Sequence, residues 1–132
     1  MNKYRHIGCK LTPQRIAILQ YLDGNKEHPS AEDIYKAVRR KFPTMSFATV
    51  YSTLAVLKEK KIILELTLDP DKKRYDPELE DHNHMICISC KRIIDIFGEH
   101  SLTLSKSERR NFSVLNSHVE VRGLCPECRK TT

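Results

Sequence analysis

No stretch of this chain is apolar enough to span a bilayer, and its opening residues, Met-Asn-Lys-Tyr-Arg-His, lack the apolar core of a secretory signal. Both absences point to a cytoplasmic protein. Internal repeats and low-complexity segments are missing too, with only four glycines and six prolines in 132 residues. Hydrophobic residues at 39% and charged residues at 30% exclude a disordered chain and suit one ordinary domain or two small ones. The second half lacks net charge: residues 66–132 hold eleven Lys/Arg and eleven Asp/Glu, whereas residues 1–65 hold twelve against six. The whole excess of +6 therefore lies in the first half. Such asymmetry fits a first half that meets a polyanion; a solvated basic surface is the plain alternative.

What is present is cysteine in pairs. Cys87-Ile-Ser-Cys90 and Cys125-Pro-Glu-Cys128 are two C-x-x-C knuckles, and Cys9 is left over. In a cytoplasmic chain such pairs favour metal over disulfides. Two intervening residues let both sulfurs of a knuckle face one ion, and two knuckles complete a tetrahedral S4 site suited to Zn²⁺. Four thiolates leave no open position, so the role is structural. A redox dithiol and an iron–sulfur cluster are the competing readings.

The pattern along the chain predicts helices first. Thr12 caps a helix that Pro13 begins, with Ile16, Leu19 and Leu22 on its apolar face and Asp23-Gly24-Asn25 at its end. Ser30 caps a second, with Ile34, Ala37, Val38 and Phe42 facing inward. Ser46 caps a third, with Val50, Leu54 and Leu57 inward and Thr49, Tyr51, Ser52 and Lys58 outward. The period then changes to two: Ile62, Leu64 and Leu66 share a face, Asp69–Lys72 turns, and Lys73–Asp76 returns. Three helices and a hairpin make a winged helix-turn-helix. Beyond it, strands are expected at His84–Ile88 and Arg92–Phe97, a helix near Ser101–Arg110, and a strand pair at Phe112–Leu115 and His118–Leu124. The fold class is thus α+β. Residues 1–76 form a winged-helix DNA-binding domain, 77–81 a hinge, and 82–132 a small α/β metal-binding dimerisation domain.

Two further groups carry chemistry. His82 and His84 stand two apart, so on an extended segment both imidazoles lie on one side. Asp76 precedes them and Asp95 follows on the next strand. Histidine and carboxylate together suit an exchangeable Fe²⁺, Mn²⁺ or Zn²⁺; a solvated polar loop is the bland reading. His28, before the second helix, reads alone as a turn residue. The third helix opens with Ser46, Thr49, Tyr51 and Ser52 exposed, a face able to enter a major groove, while Arg39, Arg40, Lys41, Lys58, Lys60 and Lys61 can meet phosphates.

Taken together, Leu11-Thr-Pro-Gln-Arg15, His28-Pro-Ser-Ala-Glu-Asp-Ile-Tyr35, Ala48-Thr-Val-Tyr51, Asp81-His-Asn-His84 and the two knuckles resemble the ferric uptake regulator family from about Leu11 to Cys128. Three histidines and two aspartates, at His28, Asp76, His82, His84 and Asp95, are similar to its peroxide-responsive branch; the iron-uptake branch usually has glutamate where Asp95 stands. The resemblance implies a repressor and not an enzyme: a homodimer on double-stranded operator DNA, with one structural Zn²⁺ per chain at the four cysteines and one Fe²⁺ or Mn²⁺ at the five ligands. It implies peroxide sensing through iron-dependent oxidation of His28 or His82, and DNA contacts from Arg15 and the third helix at Ser46, Thr49, Tyr51 and Ser52. A regulator answering to iron, zinc or manganese supply is the alternative. The departures are a leader of ten residues before Leu11, carrying Lys3, Arg5 and Lys10, Ser52 after the helix tyrosine, Asn83 where relatives have Asp, and His118 one place out of register. Cys9 matches no ligand position.

Overall fold

Helix α1, Pro13–Leu22, starts where its chemistry dictates in the computed structural model of the chain: the Thr12 hydroxyl accepts the Arg15 N–H and proline occupies the first turn. Residues 10–100 and 102–130 are described; Cys9, Lys3 and Arg5 lie outside them. Helix α2, Ala31–Arg39, has a reciprocal capping box between Ser30 and Asp33. Helix α3, Phe47–Glu59, is capped by Ser46, whose hydroxyl accepts the Thr49 N–H. It ends at Lys61, which takes the left-handed conformation (φ 58°), as the Ile62 N–H returns to the Leu57 carbonyl.

The inward positions of these helices form one core. Ile18, Leu22, Ile34, Val50, Leu54 and Leu57 are essentially inaccessible to solvent, and Tyr75 packs among them. The wing is a short antiparallel pair: β1, Leu64–Leu66, against β2, Arg74–Asp76, with Leu64 opposite Asp76 and Leu66 opposite Arg74. The expected alternation fails at its start. Ile63 is buried and Leu64 is exposed, because β1 begins only at Leu64 and the preceding residue still belongs to the helix-end turn that packs on the core. Glu65 forms ion pairs with Lys58 at the end of α3 and with Lys73 (3.0 Å), which fastens the wing to that helix.

The chain divides into two compact units, Met1–Leu79 and Glu80–Thr132. The second unit is a three-stranded sheet ordered β4-β3-β5. Strands β3, Asn83–Cys87, and β4, Ile93–Ile96, are antiparallel, with His84 opposite Asp95. The turn between them is closed by Lys91 at φ 68°. Strand β5, Glu120–Gly123, runs parallel to β3. Two single-turn helices complete the unit, α4 at Lys106–Arg109 and α5 at Pro126–Arg129.

Two expectations need correction here. The helix near Ser101–Arg110 shrinks to one turn, because it begins only after Ser105, whose capping box with Glu108 starts it, and Arg110 and Asn111 at positive φ (46° and 65°) close it; Ser101 lies outside the described residues. Phe112–Leu115 is not a strand: its side chains are exposed and only Glu120–Gly123 pairs, with β3 and not with a neighbour in sequence. The class is nevertheless as read, α+β with a winged helix-turn-helix and a small C-terminal unit. No described helix is long and apolar enough to cross a membrane.

Candidate metal centres

The knuckles come together as their spacing requires. Cys87 ends β3, Cys90 lies in the turn before β4, and Cys125 caps α5, which carries Cys128. A tetrahedron with Zn–S bonds of about 2.3 Å places its sulfurs about 3.8 Å apart. The Sγ atoms of Cys90 and Cys125 are 3.8 Å apart, and all four lie within 4.8 Å of one another. None is in a disulfide. Backbone N–H groups of Cys125 (3.4 Å) and Cys90 (3.5 Å) point at Cys87 Sγ and pull its thiol down to about 5. At Cys125 the Cys128 N–H favours the thiolate, but burial and the other sulfurs outweigh it and push the thiol up to about 12. The N–H groups at Cys87 thus favour the thiolate there, and a cation among the four sulfurs would favour it at the others. That donor set fits a thiophilic dication.

The five N/O ligands fall into two groups, one in each unit. In the first unit His28 is buried and its Nε2 lies 3.3 Å from Asp76 Oδ2. The other oxygen of Asp76 accepts the Glu78 N–H at 2.9 Å, so Oδ2 is the one presented to the histidine. In the second unit one oxygen of Asp95 meets both imidazoles, at 3.0 Å from His82 Nε2 and 3.3 Å from His84 Nε2. The two rings lie 4.5 Å apart, His82 just before β3 and His84 within it. His82 stacks on Phe97 (5.1 Å) and its Nδ1 lies 2.6 Å from the Glu80 carbonyl. A carbonyl only accepts, so Nδ1 carries the proton and Nε2 keeps a lone pair. His84 Nδ1 lies 3.1 Å from His118 Nε2, which likewise leaves Nε2 toward Asp95. Adjacent donors on one ion, at metal–ligand bonds near 2.1 Å, are separated by about 3.0–3.5 Å. Both groups have that spacing.

Three partners escaped the sequence reading. His118, noted there only as out of register, buttresses His84. Phe97 is the platform for His82, and its place two residues beyond Asp95 on the same strand side was the available signal. Arg74, two before Asp76 in Arg74-Tyr-Asp76, donates to the His28 carbonyl. Asn83 has become structural: its side chain accepts the Val119 N–H (2.8 Å) and donates to the His100 carbonyl (3.4 Å), which ties β3 to two neighbouring segments.

On the first unit, the start of α3 presents what a groove-reading helix needs. Ser46, Tyr51 and Ser52 are exposed and Thr49 partly so. Ser46 and Thr49 hydroxyls bond each other (2.9 Å), and Ser52 donates to the Thr49 carbonyl (3.1 Å). Tyr51 rests against Phe47, whose ring meets Tyr35 edge-on at 5.6 Å. Arg15 donates to the Lys10 carbonyl at 2.8 Å.

Comparison with known proteins agrees with this architecture. The model of the ferric uptake regulator family matches residues 6–122. The peroxide operon regulator of Bacillus subtilis (strain 168) is 41% identical over 132 residues, covering 98% of this chain and 91% of that protein. Among solved structures, the ferric uptake regulator from Francisella tularensis with iron has a TM-score of 0.78 at 26% identity, covering 95% of this chain and 98% of that one. PerR from Streptococcus pyogenes, described as a peroxide-sensing gene regulator, has a TM-score of 0.53 at 32% identity over 96% of this chain and 88% of its own.

Proposed function

The chain belongs to the ferric uptake regulator family, and from that premise we propose that it is a metal-dependent repressor of transcription that senses hydrogen peroxide. It is a regulator and not an enzyme: the sensing event modifies the protein once and does not turn over. The observation that carries the reading is Asp95, an aspartate whose single oxygen faces the Nε2 atoms of both His82 and His84. Its likeness to the Bacillus regulator over nearly the whole chain supports the peroxide branch.

In this reading residues 1–76 bind DNA, 77–81 act as the hinge, and 82–132 hold metal and dimerise. Cys87, Cys90, Cys125 and Cys128 hold one structural Zn²⁺ per chain. One Fe²⁺ or Mn²⁺ per chain takes His28, Asp76, His82, His84 and Asp95. An ion shared by ligands of both units would restrain the hinge and favour the dimer in which two α3 helices match two operator half-sites. Arg15, Ser46, Thr49, Tyr51 and Ser52 make the DNA contacts. A repressor of this kind works beside the chromosome, in the cytoplasm. Bound iron would supply the redox chemistry that activates hydrogen peroxide, which manganese would not; peroxide is the two-electron oxidant, one of its oxygens adding to the imidazole of His28 or His82 and the other leaving as water. A damaged imidazole no longer donates its lone pair, the ligand set is incomplete, and repression ends.

The test is peptide mass spectrometry of zinc-containing protein after anaerobic Fe²⁺ loading and a brief peroxide pulse, with Mn²⁺ loading as the control. One added oxygen on the peptide carrying His28 or His82, with iron only, is the expected result. Unmodified histidines at confirmed iron occupancy would move the protein to a regulator of metal supply.

A further inference from the structure

Of the first pair of proposed ligands, His28 sits on a strained loop and Asp76 ends β2. His28 has φ 52°, the left-handed region, which a side chain with a Cβ rarely adopts. A residue stays there only when its surroundings hold it. Arg74 is what holds it. Its Nε donates to the His28 carbonyl, one terminal nitrogen donates to the Glu27 carbonyl (3.2 Å), and the other meets Asp69 Oδ2 (3.0 Å). The guanidinium is buried, with 9% of the side chain accessible, and the Asp69 side chain is fully buried. Asp69 is fixed in turn by the Asp71 N–H at 2.9 Å.

The backbone repeats the grip. The Tyr75 N–H donates to the Pro29 carbonyl at 2.9 Å, and Ser30 and Arg74 form a β-bridge. Side chains alternate along a strand, so Arg74 and Asp76 share one side of β2 while Tyr75 takes the other, in the core. The same strand face thus holds the loop through Arg74 and meets the imidazole through Asp76. Only arginine does this well: its rigid fork reaches two carbonyls and a carboxylate at once, whereas a lysine ammonium is a point charge without that geometry.

We propose that Arg74 is a positioning residue of the regulatory metal site, which without touching the ion fixes His28 in the one backbone conformation that brings its imidazole to Asp76. The inference rests on the reading of His28 and Asp76 as ligands. Lost outer-shell support commonly lowers metal affinity 10–100-fold.

The experiment titrates Mn²⁺ alone into the full-length, zinc-containing protein, with free Mn²⁺ read by electron paramagnetic resonance. Wild type, Arg74→Lys, His28→Ala and a stability control, Leu57→Ala, are compared, and each metal-free melting temperature is recorded. Arg74→Lys is expected to weaken Mn²⁺ about 10-fold or more with zinc content unchanged, and Leu57→Ala to leave affinity near wild type despite its lower melting temperature. If Arg74→Lys does not fold, Arg74→Gln, which keeps one donor for the His28 carbonyl, replaces it. Wild-type affinity in the Arg74 variant, or an equal loss in Leu57→Ala, overturns the positioning role. Failure of wild type to bind Mn²⁺, or of His28→Ala to weaken it, overturns the ligand reading instead.

Discussion

At the scale of single residues, Asp95 links two imidazoles through one oxygen, so its removal should be felt twice. Asp95→Ala takes away a proposed ligand and the carboxylate opposite His82 and His84. Mn²⁺ affinity is expected to fall by at least the roughly 10–100-fold of outer-shell losses, measured by the same titration. Asp95→Glu adds one methylene, keeps a carboxylate, and should retain Mn²⁺ binding while altering histidine oxidation by peroxide with iron; an unchanged oxidation yield would remove Asp95 as the residue that sets the response. These ligands were legible because their types and spacing state their chemistry: the two-residue step from His82 to His84 already places both rings on one side. Their supports were not. Arg74 and His118 act through contacts that chain position does not encode, Arg74 lying 46 positions from His28 and His118 lying 34 from His84.

At the scale of elements, α3 is held at both ends by polar groups whose loss can be measured. Ser46→Ala removes the hydroxyl that accepts the Thr49 N–H and bonds the Thr49 side chain. It should cost about 1 kcal/mol of stability and weaken DNA binding as well, because the first turn is the proposed reading surface. At the other end Glu65 joins β1 to Lys58 of α3. The Lys58 hydrogen bond, helped by Lys73 and opposed by burial, holds the Glu65 carboxyl below its ordinary range. A carboxyl lowered in the folded state contributes stability above its unfolded value, near pH 4.3, and loses it as pH falls through the folded value. Glu65→Gln should therefore reduce stability at pH 7 and flatten its decline below about pH 4.3 in urea titrations; a decline parallel to wild type would show that the pair adds nothing. The helices of the first unit could be read from the sequence because Thr12, Ser30 and Ser46 all cap as their types predict. The region from 101 to 119 could not. Its one helical turn opens only after Ser105, its residues 112–115 form no strand, and the strand that follows, β5, pairs in parallel with distant β3.

At the scale of the whole molecule the two units differ in how they can be stable. The first has a continuous core from Ala17 to Tyr75. Among the described residues of the second, only Ile86, Cys87 and Ile93 are buried and apolar, while Phe97, Leu102, Phe112, Val114 and Leu115 are exposed. A unit of that size cannot offset its conformational entropy with so little burial. The zinc proposed at the four cysteines is the natural staple, since a structural zinc contributes its binding energy directly to folding. A second copy covering the exposed apolar side chains is the other support in the proposed homodimer. Both make one joint prediction. Removing zinc with a strong chelator under reducing conditions, or introducing Cys128→Ser, should abolish the dimer in light scattering and the strand signal of residues 80–132 in hydrogen exchange. Protection in α1 to α3 should persist, because their core contains no zinc ligand. DNA affinity should fall with the dimer, since one recognition helix then meets one half-site. A zinc-free chain that stays dimeric with residues 80–132 protected would show that apolar burial between copies suffices, and the cysteines would have to be read as something other than the staple of this unit.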